Sequence, residues 1–431
     1  MRSGFLKIPP ALAAIACLLL AGCTRPPEVD ANRILFSFWG SVQQQKAEEE
    51  IIRAFEEAHP DIQVEMMVIG GPRYAEKIQA MFVGNVAPDV VMVNFNYYDD
   101  WATRGVLLDL TEEFEAISDE AEFLPIPRRL VERDGRVFGL PINAHGLATY
   151  YNMDALAQAG VEIPPEGLTW DFLEEVAPRL SSRHGDPDAP TDYAFFLPVN
   201  MSNTVFWQHG VRLFDDHFHP TKVTINTPEA ADALEFLRRV RSSGFSAPPE
   251  VATDEGTFQL FRDEKVAFYF DGRWRTPEFA DRTDFEWNVT PFPAGATSGM
   301  TQHGGTILGV ASNSTRKEAA RKFVRFYASP SGAEIAMHGQ RNVPVYRELA
   351  YGKEFLALRP PKDMVNFSKT MEDGAALYNL YAPGVSEVGR IFEGRLEQAL
   401  TRPEIPAQVV LEGLEEDLNR WLKKMKDQKA L

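Results

Sequence analysis

Asp271 and Trp274 stand three residues apart at the end of the apolar run Val266-Ala-Phe-Tyr-Phe270, where the chain breaks at Asp271-Gly272 and delivers a tryptophan between Arg273 and Arg275. A carboxylate and an aromatic plane at a strand end can be shown to a polar ligand. The same Asp271 can instead cap the helix start at Thr276-Pro277. Asp215-Asp-His-Phe-His219 offers a second pattern, because His217 and His219 put two imidazoles on one strand face, as a metal site requires. Ser314-Thr-Arg-Lys317 matches a Ser-x-x-Lys nucleophile by letters, but neither partner motif accompanies it and it is better explained as a helix cap. The sequence has no Gly-x-Ser-x-Gly elbow, no His-Glu-x-x-His, no P-loop and no dinucleotide fingerprint. Carboxylates are so plentiful that no glycosidase pair can be singled out. No catalytic group and no cofactor is expected.

The elements that must position such groups alternate. Ile34 to Trp39 is an apolar strand, followed by a helix over Ala47 to Ala58 with Ile51, Ile52, Phe55 and Ala58 inside and Glu and Arg outside. Ile62, Val64 and Met66 form a strand, Tyr74 to Phe82 a helix, and Val90 to Val93 a fully apolar strand. Strand-helix-strand order with apolar strands argues for a parallel sheet covered on both faces. Further along, Thr169 and Thr227-Pro228 mark helix starts, Thr315 and Glu318 read as a capping box, and Ser329-Pro330 opens the next helix. Trp170 reads as a packing residue at its helix start. The last helix, Ala407 to Lys424, carries Val410, Leu411, Leu414, Leu418, Trp421 and Leu422 on one stripe.

Composition and the N-terminus narrow the class. A chain of 431 residues with 44% hydrophobic content fills two large lobes or about three domains. Arg2 and Lys7 precede an apolar run from Ala11 to Gly22, too short to span a bilayer but matching a secretory signal. The run ends in Leu20-Ala21-Gly22-Cys23, which resembles a bacterial lipobox, so residues 1–22 are expected to be a signal peptide, Cys23 the lipidation site and 23–32 a tether. Cys17 lies inside the signal, leaving Cys23 alone and no disulfide or zinc cluster. Net charge is −18, and loss of the two basic groups in residues 1–22 makes it −20. So acidic a chain, without a basic block, is not a nucleic-acid binder.

Read in order, Phe38-Trp39-Gly40, Ile52-Arg-Ala-Phe-Glu-Glu-Ala-His-Pro-Asp-Ile-Gln-Val64, Ala87-Pro88-Asp89-Val90-Val91 and Gly105-Val-Leu-Leu-Asp-Leu110 carry a family pattern. It continues through Val137-Phe-Gly-Leu-Pro141, Tyr150-Tyr-Asn-Met-Asp154, Thr169-Trp170, Phe214-Asp215, Ile225-Asn-Thr-Pro-Glu229, Phe270-Asp-Gly-Arg-Trp274, Gly304-Gly305 and Val343-Pro344. In this order and spacing the chain resembles an extracellular solute-binding protein of the carbohydrate-import ABC transporter class, the maltose-binding-protein-like superfamily. The resemblance implies an α/β, two-lobed periplasmic-binding-protein-like fold (class II) with a multi-crossing hinge. The lobes would be 33–142 plus 306–348 and 143–305 plus 349–431. Crossings are expected near Pro141 to Gly146, near His303 to Gly309 and after Val345.

Such a protein closes on a sugar by hinge motion and hands it to membrane permease subunits, acting as a monomer anchored through Cys23 at the cell surface or in the periplasm. Strand C-terminal ends face the cleft in open α/β sheets, which selects Trp39, Asn94 and Asn96. The resemblance adds Asn143 and His145 at the first crossing, His145 being a ligand contact or a hydrogen-bonded hinge residue. Gly304 and Gly305 stand at the second crossing, where bare backbone could approach a ligand. Asp271 and Trp274 become sugar contacts, and position adds Tyr74, Tyr97, Trp207 and Arg341. The segment 215–219 falls at a variable hairpin tip, so no metal is expected there. Arg273 and Arg275 pair either a uronate carboxylate or neighbouring acidic side chains on the surface. The competing class is an exported polysaccharide-active enzyme; within the binding class, an anionic solute such as a uronate or glycerol phosphate stays open.

Overall fold

The computed structural model describes residues 31–427 apart from 41, 252–255, 296, 300, 339–341, 359 and 373–383. The expected signal peptide, Cys23 and Arg341 lie outside the described residues. Strand β1 (Arg33–Phe38) pairs in parallel with β2 (Gln63–Val68) and β3 (Val90–Asn94). The intervening helices, Val42–Ala58 and Tyr74–Val83, bury Ile51, Ile52 and Phe55 and Tyr74, Ile78 and Phe82. A short hairpin, β4 (Glu132–Arg133) and β5 (Arg136–Val137), precedes β6 (Leu140–Gly146). The chain then enters a second sheet through β7 (Ala148–Asn152), β8 (Tyr193–Phe196), β9 (Val266–Asp271) and β10 (Trp287–Pro291), and returns as β11 (His303–Val310).

The first sheet has the order β2-β1-β3-β11-β6 and the second β10-β7-β9-β8. Parallel pairing, expected for the whole of the first sheet, holds for β2-β1-β3 only; β11 joins β3, and β6 joins β11, antiparallel. The βαβ pattern that forces parallel pairing is confined to residues 33–94, whereas β11 comes back from the other lobe. In the second sheet only β8 and β9 are parallel. The expected lobe divisions at 142/143 and 305/306 fall inside β6 and β11. The chain leaves the first sheet after Gly146, returns to it at His303, and passes a third time after the Ala144–Val343 bridge.

Both lobes are layered around their sheets. Phe323, from the helix Lys317–Ala328, meets Phe36 edge-on at 5.3 Å and Phe55 at 5.1 Å. In the second lobe Trp170 packs among Phe195, Phe236, Phe270 and Phe292 and donates to Gln208 Oε1 at 2.7 Å, a core residue as its sequence position suggests. Thr169, Thr227 and Ser329 each accept from the backbone amide three residues on, capping their helices. The capping box at Thr315 and Glu318 does not form. The helix starts at Lys317 without a side-chain cap, and Ser314 instead accepts from the Arg316 amide and donates to Asp89 Oδ1 at 2.6 Å.

Asp89 is a knot in the first lobe. It is 5% exposed, accepts from the Leu35 amide at 2.9 Å through Oδ2, and lies 3.5 Å from Arg316 Nη1, so one carboxylate ties β1, the entry to β3 and the start of a covering helix. Hydrogen bonds to a charged group contribute about 1.5–3 kcal/mol, and their loss leaves buried donors unmet. Asp89→Ala is expected to destabilise the protein by about 2–3 kcal/mol, read as a lowered urea midpoint; an unchanged midpoint would show that the knot carries no load.

Candidate functional site

Between the lobes lies a cleft with two chambers, of about 660 and 360 Å³, that share Asn94, His145 and Trp274 in their walls. The larger faces the second lobe and the smaller reaches into the first. Trp274 therefore stands at the boundary of both, and its position is set by the end of β9. Asp271, 5% exposed, accepts from the Gly272 amide at 2.8 Å, the Tyr269 hydroxyl at 3.0 Å and Arg275 Nε at 2.9 Å. Burial pushes the Asp271 carboxyl above its ordinary range, against the pull of the Arg275 guanidinium. The Trp274 ring lies over Gly272, where an added Cβ would come within 1.9 Å of it. Tyr150 donates to the Gly272 carbonyl at 2.8 Å, closing the turn from below. Asp271 does not cap the helix Thr276–Arg282, whose start has no side-chain cap.

His145 sits edge-on to Trp274, with ring centroids 4.6 Å apart. Burial, with His303 nearby, depresses its pKa to about 3, so the imidazole is neutral. Its Nδ1 has no hydrogen-bond partner among the described residues and so retains capacity for one. Asn143 accepts from Asn342 Nδ2 at 2.9 Å and lines the smaller chamber. Asn94 lines both chambers while its Oδ1 caps the helix Phe95–Thr103 through the Asn96 amide at 3.0 Å.

Among the other sequence-selected residues, Asn96 and Trp207 line the larger chamber, with Asp271, and Trp39 and Gly305 the smaller. Tyr74 lies behind that wall. Its ring meets Trp39 edge-on at 5.0 Å, and its hydroxyl donates to the Ser37 carbonyl and accepts from the Met92 amide. Tyr97 packs on Trp101. At Gly304 the space of a side chain is taken by Phe95 and His145, so the missing Cβ admits protein atoms. Arg273 is not on the surface: it is 6% exposed, donates to the Asn342 carbonyl at 3.0 Å and lies 4.9 Å from the Phe355 ring centroid. It borders neither chamber, whereas Arg275, paired with Asp271, borders the larger. At the 215–219 tip, Asp216 accepts from the Phe218 and His219 amides, and among the described residues no group of three or more potential metal ligands converges.

Some wall residues escaped the sequence reading. Asn200 and Asn203 follow β8, so the strand-end rule that selected Asn94 reaches them too. Gln302 and His303 directly precede the selected glycines. Arg390 and Glu393 stand inside the helix Val385–Thr401, where nothing in the local pattern marks them. Glu48 was placed on an outer helix face and is in fact 7% exposed, on the wall of the smaller chamber. Among the described residues, the larger chamber's ionic groups are Asp271, Glu393, Arg275 and Arg390, two of each sign. Its walls therefore combine aromatic area, amides and balanced charge, which suits a polar solute without net charge.

The comparisons with known proteins agree with this architecture. An ABC substrate-binding protein of Listeria monocytogenes in complex with cycloalternan superposes with a TM-score of 0.78 at 25% identity, over 91% of this chain and 99% of that one. A mannitol-binding protein of Pseudomonas aeruginosa is 25% identical over 327 residues, 72% of either chain. An uncharacterized lipoprotein of Streptomyces antibioticus is 29% identical over 342 residues, 74% of this chain and 71% of its own. The bacterial extracellular solute-binding protein family matches residues 39–334, from the end of β1 into the helix that follows Ser329. With two lobes, a three-passage hinge and a cleft walled by both, the chain belongs to the bacterial extracellular solute-binding protein family.

Proposed function

We propose that the protein captures a neutral sugar, polyol or oligosaccharide in the interlobe cleft and delivers it to the permease of an ABC importer. The observation that carries this reading is the placement of Trp274 at the boundary of two chambers whose walls combine aromatic rings with side-chain amides. Sugars present apolar C–H faces to an aromatic plane and hydroxyls to a polar rim, so one ring can sit against Trp274 while Asn94, Asn143, His145 and Asp271 take its edge. The relatives' ligands, cycloalternan and mannitol, are of this chemistry. We place the lobe boundaries at the strand ends, Gly146 and His303, rather than within the strands.

The protein is proposed to be exported, lipidated at Cys23 and monomeric; the match to a lipoprotein supports the anchor. Among the described residues no helix is long and apolar enough to cross a membrane. In cells, Cys23→Ser is expected to abolish incorporation of radiolabelled palmitate; retained label would remove the anchor.

Titration with mannitol, lactose, maltotriose and cycloalternan tests the ligand class. A sugar at 100 times its Kd should stabilise the protein by about 2.7 kcal/mol, seen as a higher melting temperature. Trp274→Ala should weaken the same sugar by about 1.5–2 kcal/mol, some 10- to 30-fold, in calorimetric titration. Binding is expected at one sugar per chain with no new reducing ends. Hydrolysis of maltotriose by purified protein would decide instead for an exported enzyme.

A further inference from the structure

The helix Val42–Ala58 carries a carboxyl that its amphipathic pattern does not account for. Glu48 is 7% exposed, lies against the first-lobe core and lines the smaller chamber together with Trp39, Asn143, Tyr327 and Asn342. The Tyr327 hydroxyl donates to Glu48 Oε1 at 3.1 Å, which fixes that oxygen as an acceptor. Oε2 is buried and has no hydrogen-bond partner among the described residues. Among the described residues, no Lys or Arg side chain lines this chamber. An ionised carboxylate here would be desolvated without a countercharge, an arrangement proteins avoid by keeping the proton. With Oε1 occupied by Tyr327, the proton belongs on Oε2.

From this geometry we propose that Glu48 is a neutral carboxylic acid that donates a hydrogen bond from Oε2 to a hydroxyl or ether oxygen of a sugar unit held in the first-lobe chamber. The inference rests on the sugar-binding reading and adds to it a second subsite with its own reader. Oε2–H supplies a donor, while Asn342 Oδ1, likewise buried and without a partner among the described residues, supplies an acceptor on the same wall. A hydroxyl, which both donates and accepts, can use the two together. Among the described residues no cation lines this chamber, so none of them offers an anionic group a countercharge.

The groups around Glu48 leave its proton as the one that matters between pH 6 and 9. Burial raises its pKa to about 8, with the Tyr327 hydrogen bond opposing. Tyr327 comes from the helix Lys317–Ala328, and His145 from β6 is already neutral across the chamber, with a pKa near 3. The helix Pro330–Met337 contributes Ala336 to the wall, and its one carboxylate, Glu334, is exposed. On β2, Glu65 is exposed and paired with Arg33; on Glu48's own helix, Lys46 is exposed. Arg273, bonded to the Asn342 carbonyl, is brought by burial only to about 10.

The sign follows from which form binds. A sugar that needs the protonated acid raises its pKa further, so affinity is level below pH 8 and falls as pH rises past it, about tenfold between pH 7 and pH 9. Neutral sugars do not titrate in this range, so the change belongs to the protein. Calorimetric titration at pH 6, 7, 8 and 9 with maltotriose, lactose, cycloalternan and mannitol should show this loss for whichever of them binds. Glu48→Gln keeps a donor without a titratable proton. It should bind within about threefold of the parent at pH 7 and show no alkaline loss, while Glu48→Ala loses tenfold or more at every pH. A level profile for the unaltered protein overturns the inference without needing a folded variant. So does an affinity that rises with pH and collapses in Glu48→Gln, which would mark an ionised acceptor. If none of the four sugars binds at any pH, the sugar-binding reading falls and takes this inference with it; binding with the wrong profile removes the inference alone.

Discussion

The passages between lobes are fastened to one another by two main-chain contacts and one imidazole, and the cleft depends on that fastening. Ala144 and Val343 exchange both amide hydrogen bonds, at 3.0 and 2.9 Å, joining the first passage to the third. Leu147 donates to the Gln302 carbonyl at 3.3 Å, joining the first to the second. His303 Nε2 and the Thr370 carbonyl lie 2.6 Å apart, joining the second to the third. All of these residues except Thr370 are, or directly adjoin, cleft wall residues. Backbone pairs of this kind leave bending at the hinge as the soft motion and resist sliding, so wall residues from either lobe can separate and return to the same register. Asn143, His145, Gln302 and His303 stand on the hinge itself and keep their mutual positions whichever way the lobes move.

The second fixed point is the Asp271 carboxylate at the end of β9. A buried charge of this kind is tolerated only with its lone pairs occupied, and here a backbone amide, a tyrosine hydroxyl and a guanidinium occupy them. The same bonds order the turn on which Trp274 stands. Arg275 is thereby committed to Asp271 and is not a free cation for an anionic solute. Arg273 points away, into the third passage, where it covers Phe355 and holds the Asn342 carbonyl. Two adjacent arginines that a sequence shows as equivalent thus do separate work: one neutralises a carboxylate in the cleft wall, the other ties the second lobe to the hinge.

What was legible in the sequence was whatever a strand end or a short signature dictates. The first three strands, the helix caps at Thr169, Thr227 and Ser329, and the cleft positions of Trp39, Asn94, Asn143, His145 and Trp274 follow from local pattern or from the family resemblance. Sheet direction beyond β3 was not legible, because β11 and β6 pair only after the chain has travelled through the other lobe. Glu48 was misplaced for a related reason. A helix pattern shows which residues face the sheet, and position 48 lies toward the helix N-terminus, where the buried stripe meets the cleft rather than solvent. Arg390 and Glu393 reach the larger chamber only because their helix packs on that from Ala407 to Asp427, a tertiary choice with no local mark.

The two chambers solve the same electrostatic problem differently. In the larger, the buried Asp271 carboxylate is met by the Arg275 guanidinium, and Arg390 and Glu393 add one charge of each sign. In the smaller, set into the first-lobe core, cancellation by a partner is replaced by retention of a proton on Glu48. Among the described residues neither wall then offers a net charge to an entering solute, and closure over a neutral molecule would strand no ion in a dry space. Closure is favoured only by contacts that improve when the lobes meet. Trp274, from the second lobe, and His145, from the hinge, meet edge-on at the boundary of both chambers. A solute lying across their edge would touch both lobes at once, which is how the proposed ligand contact would favour closure.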